Sequence, residues 1–201
     1  GFGNAVNVHH SVKVLERAGA SAIQIEDQAM PKRCGHFAGK QIIDKEEMCG
    51  KIKAAVDARR HEDFLVIART DARALNGLSE ALDRAANYAE SGADITFIEA
   101  PESIEEIKTI ASQTFCPQLI NIVIGGKTPS LPLADLSGMG FGIVLYANAA
   151  LQGAVRGMTN ALNHLKVHGE LQEDPRFVAT FDERQSAVKK QYFDELEKKF
   201  S

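Results

Sequence analysis

The chain lacks the features of disulfide-rich, membrane-spanning and nucleic-acid-binding proteins. Its three cysteines are odd in number and widely spaced, so they match neither a disulfide framework nor a paired C-x-x-C zinc site. No apolar run approaches the length of a membrane span, and the first residues do not resemble a secretory signal. The net charge is −4, without a basic stripe that alternates with aromatic residues. We therefore expect a cytoplasmic protein that binds neither nucleic acid nor a membrane.

The chain does contain enough apolar sequence to bury a sizeable core, since 44% of its 201 residues are hydrophobic. Apolar segments alternate with amphipathic ones through short connections. The predicted strands are 22–26, 64–68, 95–98, 119–124 and 143–146, and the predicted helices are 5–18, 45–59, 78–90, 104–112, 134–139, 149–167 and 181–200. Asp44 is predicted to cap the helix that begins at Lys45. Strands that are apolar throughout indicate a parallel sheet covered on both faces, and therefore an α/β fold.

Polar residues recur where the predicted strands end. They are Glu26 and Asp27, Arg69 to Asp71, Glu99, Asn121, and Tyr146 with Asn148. A (β/α)8 barrel carries its catalytic residues at this edge, and an open doubly wound sheet also binds ligands there. The last two strand repeats are about 23 to 25 residues long, which is typical of barrel units. For any one of these side chains, a helix cap or a loop hydrogen bond is the alternative.

The segment from residue 25 to 36 has the most informative sequence, Ile-Glu-Asp-Gln-Ala-Met-Pro-Lys-Arg-Cys-Gly-His. A short apolar strand ends in two carboxylates, which suit a hard divalent cation. The thiol of Cys34 follows, flanked by Lys32, Arg33 and His36. Cations on both sides of a cysteine favour its thiolate and attract anionic ligands. The alternative is a buried thiol that acts as a small apolar side chain.

This segment resembles the isocitrate lyase and phosphoenolpyruvate mutase superfamily. The similarity is greatest to its methylisocitrate-lyase-like and dimethylmalate-lyase-like branch, where a Lys-Lys/Arg-Cys-Gly-His loop follows a Glu-Asp-Gln strand end. The resemblance implies a TIM-type (β/α)8 barrel with an extra C-terminal helix. It also implies an oxo-acid lyase that uses Mg²⁺, or alternatively Mn²⁺. Such an enzyme cleaves a carbon–carbon bond of a 2-hydroxy di- or tricarboxylate, such as 2-methylisocitrate, to give a 2-oxo acid through an enolate.

Three alternatives to this activity remain open. Oxaloacetate hydrolases share the cysteine-containing loop. Phosphoenolpyruvate or carboxyphosphonoenolpyruvate mutases generally lack the loop thiol, so Cys34 argues against them. A catalytically silent oligomeric relative is the third alternative, because the lyase-like branch usually carries glutamate before Gly-Gly-Lys-Thr-Pro, where this chain has Ile124.

The resemblance assigns catalytic roles to the loop. Cys34 is expected to be the acid that protonates the enolate carbon. Lys32 and His36 are expected to act with it, and Gly35 to close over a small carboxylate substrate. Closure of such a loop would exclude water from the intermediate.

Three further residues receive roles from the same resemblance. Glu26 is expected in the magnesium shell, through a water molecule, and its alternative is an ion pair with a nearby lysine or arginine. Arg69 is expected to clamp a substrate carboxylate with its two-pronged donor, and its alternative is an ion pair with Asp71. Asn121 is expected to hydrogen-bond a substrate oxygen, and its alternative is a cap on a local turn.

The resemblance also implies how the chain is organised. In the family, an Asp-x-Asp-Thr-Gly segment at the end of the third strand precedes the Gly-Phe-Gly-Asn found here at residues 1–4. We therefore expect the chain to lack the first three barrel strands and the aspartate ligands of the metal. Residues 1–169 are expected to form a partial barrel with the catalytic site. Residues 170–201 are expected to form a helical arm, either exchanged between subunits of a homotetramer or packed on its own barrel.

Overall fold

The computed structural model describes residues 2–35, 39–113 and 115–201. Its helices are α1 (Ala5–Arg17), α2 (Lys45–Ala58), α3 (Arg73–Asn76), α4 (Leu78–Glu90), α5 (Ile104–Ala111), α6 (Leu133–Met139), α7 (Ala149–His168), α8 (Phe181–Ala187) and α9 (Lys190–Phe200). Its strands are β1 (Ala22–Glu26), β2 (Leu65–Thr70), β3 (Ile95–Ile98), β4 (Gln118–Asn121) and β5 (Ile143–Leu145).

All five strands form one parallel sheet in the order β1-β2-β3-β4-β5. Each strand therefore pairs with the strand that follows it along the chain, so the strands are added across the sheet in one direction. In a doubly wound sheet this direction reverses. This winding is that of a (β/α) barrel. The predicted α/β fold with a parallel sheet is confirmed, whereas the three additional strands stay a prediction.

The sheet is held between apolar side chains on both faces. One cluster joins α1 and α2 to β1 and includes Val12, Ile25 and Ile52, all fully buried. A second cluster packs α4, α5 and α6 against β3 and β4, with Ile107 at its centre. A third contains Phe97 of β3 on the opposite face. Burial of each large apolar side chain contributes roughly 1.5–3 kcal/mol. Strands β3 and β4 are buried along their whole length, whereas Ile143 and Leu145 of β5 are exposed.

Several element boundaries differ from the predicted ones. Strand β2 continues to Thr70 because Arg69 and Thr70 still pair with β3. Strand β4 ends at Asn121, because beyond it the chain turns, with the Gly126 amide donating to the Val123 carbonyl at 2.8 Å. The single-turn helix α3 was not predicted. The prediction for Asp44 was wrong in one respect: it occupies the N-cap of α2, but its side chain makes no capping hydrogen bond.

The chain divides into two compact units, Gly1–Ala147 and Asn148–Ser201. Helix α7 therefore groups with the C-terminal segment, whereas the predicted boundary lay at residue 169. The predicted helix 181–200 is interrupted between α8 and α9, where Lys189 has a left-handed φ of 53°. None of the residues in 148–201 is buried. Among the residues that the structure describes, no helix is both long enough and apolar enough to cross a bilayer.

Candidate active site

The segment that carries Cys34 leaves the sheet at the end of strand β1 and returns to the same point. The amide of Ala29 donates to the Gln41 carbonyl at 2.9 Å, and the amide of Ile43 donates to the Asp27 carbonyl at 2.8 Å. These two hydrogen bonds close residues 28–42, which we call the cysteine loop, directly beyond strand β1. The loop is therefore anchored at the carboxyl edge of the sheet.

Gln28 shapes the first half of the cysteine loop. Its side-chain amide donates to the Arg33 carbonyl, and its side-chain oxygen accepts from the Arg33 amide, both at 2.8 Å. The side chain of Gln28 is almost completely buried, and both hydrogen bonds are partly buried. They fix the backbone one residue before Cys34.

The second half of the loop lies against the ends of strands β2 and β3. A Cβ atom added at Gly35 would lie 2.4 Å from Cγ of Glu99 and 2.6 Å from Nη2 of Arg69. Only glycine fits this close approach. The cysteine loop, Arg69 and Glu26 thus share one edge of the sheet. The Cys34 side chain is exposed, and His36 lies outside the described residues.

Two lysines connect the loop to the strand ends. Nζ of Lys32 lies 3.0 Å from Oε1 of Glu26, whose side chain is 8% exposed. Nζ of Lys40 donates to Oδ1 of Asp71 at 3.0 Å and to the Gly35 carbonyl. Sequence reasoning assigned a role to Lys32 but not to Lys40, because the partner of Lys40 is 31 positions away along the chain.

Arg69 lies at the centre of three carboxylates. Its Nε and Nη2 donate to the two oxygens of Asp71 at 2.9 and 3.2 Å. Its Nη1 lies 3.0 Å from Oε2 of Glu99, and its Nε lies 3.5 Å from Oε2 of Glu26. The side chain also lies over the ring of Phe97, with Cζ 5.2 Å from the centroid. The two ion pairs considered as alternatives for Arg69 and Glu26 are therefore present.

Asp71 and Asp27 are both buried, but their environments differ. Burial alone would raise the pKa of Asp71, but hydrogen bonds and charge from Arg69 and Lys40 outweigh it and hold this pKa below its ordinary value. Burial raises the pKa of Asp27, although its carboxylate accepts hydrogen bonds from the Asp71 amide at 2.9 Å and the Tyr88 hydroxyl at 2.9 Å. Arg84 lies 3.3 Å from the same carboxylate.

Glu99 belongs to the same cluster, although no role was predicted for it. Burial raises the pKa of this carboxyl group, which accepts a hydrogen bond from the Asn121 side chain. Oδ1 of Asn121 is buried and has no hydrogen-bond partner among the described residues. Ala100 has a φ of 56°, which is rare for a residue other than glycine and indicates a constrained strand end. The signal for Glu99 in the sequence was a charged residue directly after a buried, mainly apolar strand.

The described residues do not form a complete metal site. Among them, no three histidine, cysteine, aspartate or glutamate side chains converge on one point. The Glu26 carboxylate, which is expected in the magnesium shell, is instead paired with Lys32 and Arg69. Glu26 alone provides only part of the near-octahedral oxygen coordination that a magnesium ion requires.

The turn after β4 contains the residue that departs from the expected pattern. Ile124 is 54% exposed and has no charge to offer a substrate. Three residues further, Nζ of Lys127 lies 3.2 Å from Oε1 of Glu102. This part of the edge is therefore less polar than the cluster around Arg69.

A family model described as phosphoenolpyruvate phosphomutase matches residues 1–166. The chain is 51% identical over 166 residues to 2,3-dimethylmalate lyase of Eubacterium barkeri, covering 83% of this chain and 57% of the relative. It is 45% identical over 169 residues to 2-methylisocitrate lyase of Aeropyrum pernix, covering 84% and 54%. The chain thus spans little more than half the length of either relative.

Solved structures share the fold. Phosphoenolpyruvate phosphomutase from Streptomyces platensis subsp. rosaceus superposes with a TM-score of 0.90 at 30% identity, covering 100% of this chain and 70% of that one. A phosphonopyruvate hydrolase in complex with oxalate and Mg²⁺ superposes with a TM-score of 0.82 at 32% identity, covering 98% and 68%.

Proposed function

The chain belongs to the phosphoenolpyruvate phosphomutase family, and from this premise we propose that the protein is a carbon–carbon lyase of the isocitrate lyase and phosphoenolpyruvate mutase superfamily. Its substrate would be a 2-hydroxy di- or tricarboxylate related to 2-methylisocitrate or 2,3-dimethylmalate. The observation that supports this most is the approach of Gly35 to Arg69 and Glu99, which brings the loop of Cys34 to a cationic and acidic cluster. The two relatives named as lyases, at 51% and 45% identity, favour cleavage over phosphoryl transfer.

The proposed reaction has two proton transfers. A base removes the proton from the substrate hydroxyl, the carbon–carbon bond opens, and its electron pair forms an enolate on the departing carboxylate. Cys34 then gives its proton to the enolate carbon and becomes a thiolate. Lys32 and His36 belong to the same loop in this proposal, and their positive charge would favour that thiolate.

Arg69 would bind a substrate carboxylate in this site. Its contact with Glu26, at 3.5 Å, is the longest of its three ion pairs and the easiest to exchange for a ligand. Asp71 holds the guanidinium in place by accepting hydrogen bonds from its Nε and Nη2. Asn121, with a buried side-chain oxygen that lacks a partner among the described residues, would bind a polar group of the substrate.

We also propose that the activity depends on magnesium, and this part of the proposal is based on a similar protein of known structure. The phosphonopyruvate hydrolase named above was solved with Mg²⁺ and oxalate. When bound, such an ion would neutralise the enolate charge. In this chain Glu26 is the residue that would face it, after release from Lys32, and Mn²⁺ is the alternative ion.

A product assay on the full-length protein tests the function. It would compare 2-methylisocitrate, isocitrate, 2,3-dimethylmalate, citramalate and oxaloacetate, in Mg²⁺ and after removal of metal with EDTA. We expect a 2-oxo acid from at least one hydroxy acid, lost with EDTA and restored by Mg²⁺. Acetate and oxalate from oxaloacetate alone would instead favour the hydrolase. Absence of turnover with all five would favour the silent relative, which Ile124 also supports.

We further propose that the protein is a cytoplasmic homotetramer. The supporting observation is the exposure of large apolar side chains on α9, where Tyr192, Phe193 and Phe200 are all more than half exposed. Such side chains require a partner surface.

A further inference from the structure

We propose that Lys40 is a positioning residue that holds the cysteine loop closed by joining the Gly35 carbonyl to the Asp71 carboxylate. Its effect on turnover rests on the proposed function, since it assumes that Cys34 is the proton donor. Its effect on the position of the loop does not depend on the proposed function.

The burial of Lys40 is the first argument. Its side chain is 2% exposed and that of Asp71 is fully buried. Removing an ammonium group from water is unfavourable unless an opposite charge and hydrogen-bond acceptors compensate. Lys40 has both, a carboxylate at 3.0 Å and a backbone carbonyl five residues before it. One cation therefore joins the loop to the end of β2.

The acceptor of Lys40 is itself held firmly. The Asp71 carboxylate receives two hydrogen bonds from Arg69, and the Asp71 amide donates to Oδ1 of Asp27 at 2.9 Å. Lys40 thus ties the loop to a rigid point of the sheet edge and not to another mobile segment.

The position of Gly35 explains why this connection matters for Cys34. Gly35 lies so close to Arg69 and Glu99 that a Cβ atom would not fit. Without Lys40, the Gly35 carbonyl loses this hydrogen bond, and the loop can move away from Arg69. Cys34 is the adjacent residue and must follow. Arg69 keeps its contacts with Asp71, so substrate capture should suffer less than proton delivery.

The test compares Lys40→Met with Lys45→Met in the full-length protein. Lys45 is a matched control, because it makes an ion pair with Asp83 at 2.7 Å outside the site. Amide hydrogen exchange would be measured for peptides that cover residues 28–43 and residues 65–70. The values of kcat and KM would be measured with the best substrate of the panel. For Lys40→Met we expect faster exchange confined to 28–43. We also expect kcat to fall about 100-fold, the loss typical of a slightly misplaced reacting group, with KM changed less than about threefold. Lys45→Met should change neither.

Unchanged exchange in residues 28–43 would overturn the proposal. So would equal acceleration in 28–43 and 65–70, because it would show that Lys40 only stabilises the fold. If Lys40→Met does not fold, Gly35→Ala serves as the second variant. It keeps the ammonium group but forces the loop away from Glu99, and it should give the same confined acceleration and the same fall in kcat. If exchange changes as expected but Cys34→Ser retains full turnover, the proposed function fails while the loop connection stands.

Discussion

Three buried carboxyl groups lie at one edge of the sheet, those of Asp71, Asp27 and Glu99. Their surroundings shift their pKa values in different directions. Asp71 contacts two cations and has a lowered pKa, whereas burial raises the pKa of the other two. Burial raises the pKa of a carboxyl group, whereas nearby cations and hydrogen bonds to the carboxylate lower it, and the balance differs among these three residues. Asp71 is therefore suited to bind cations in its ionised form, whereas burial favours the protonated form of Glu99 more than it would for an exposed glutamate.

Replacement of Cys34 by serine tests the proposed proton donor. A serine hydroxyl is a far weaker acid than a thiol, so we expect kcat to fall by about 10²–10⁴-fold, the usual contribution of a general acid. KM should change little, because the Cys34 side chain is exposed and Arg69 remains in place. Steady-state kinetics on wild type and variant measure this, with Cys49→Ser as control. Unchanged turnover would remove Cys34 from the mechanism.

Replacement of Arg69 by lysine tests the carboxylate clamp. A single ammonium group cannot reproduce the forked contacts that Arg69 makes with Asp71 and Glu99. We expect kcat/KM to fall by about 10- to 100-fold, mainly through a higher KM, since charged hydrogen bonds contribute about 1.5–3 kcal/mol. Circular dichroism would check the fold of the variant. An unaltered KM and kcat would count against the clamp.

The lowered pKa of Asp71 predicts a pH effect. Its ionised form is favoured in the folded state, so its contribution is complete above the unfolded pKa of about 3.9 and is lost as the pH falls through the folded pKa. Asp71→Asn should lower the free energy of unfolding at pH 7 by about 3–5 kcal/mol, because Arg69 and Lys40 lose their buried partner. As the pH falls below about 4, the free energy of unfolding should decrease less for this variant than for the wild type. Urea titrations at several pH values measure both, and parallel pH profiles would contradict the prediction.

At the level of the elements, the site depends on how a helix is joined to a strand end. Helix α4 carries Arg84 and Tyr88, and both side chains contact the Asp27 carboxylate just beyond β1. Asp27 in turn accepts the amide hydrogen bond of Asp71 at the end of β2. The helix thus orients two strand ends through buried side chains.

Replacement of Tyr88 by phenylalanine tests this link. The phenol is fully buried and donates to Asp27 at 2.9 Å, so its removal leaves a buried carboxylate short of one donor. We expect the free energy of unfolding to fall by about 1–3 kcal/mol with an unchanged m-value. Tyr146→Phe, at a position 43% exposed, should change it by less than about 0.5 kcal/mol. Equal effects of the two substitutions would show that the link does not stabilise the fold.

At the level of the whole molecule, residues 148–201 cannot form a core of their own. None of them is buried, and apolar side chains of α7, α8 and α9 are exposed. A segment of this kind is stable only against another surface. The proposed exchange of the arm between subunits would supply that surface.

Light scattering coupled to gel filtration tests the assembly. We expect the full-length protein to have four times the mass of one chain, and Tyr192→Glu combined with Phe193→Glu to shift it to smaller species. Both side chains are more than half exposed in the single chain, and a charge there would be unfavourable in an apolar contact. Lys198→Glu, on the same helix, is the control. A monomeric wild type would reject the tetramer and favour an arm packed on its own barrel.

The family, the alternation of strands and helices, and the cysteine loop could all be predicted from the amino-acid sequence. These features are local: apolar runs, polar residues at strand ends, and the residues from Glu26 to His36. The comparisons confirm the family, and the structure confirms the parallel sheet. Element ends were less accurate, as at Thr70 and Asn121, because a strand continues only as long as its neighbours pair with it.

Only the tertiary structure decided which charges meet. Lys40 and Asp71 are separated by 31 positions, and Tyr88 and Asp27 by 61. No local pattern connects such residues, since the parallel sheet brings together strand ends that lie far apart along the chain. The contacts of Glu99 and Lys40 therefore emerged only from the fold, whereas the loop of Cys34 was evident from the local sequence.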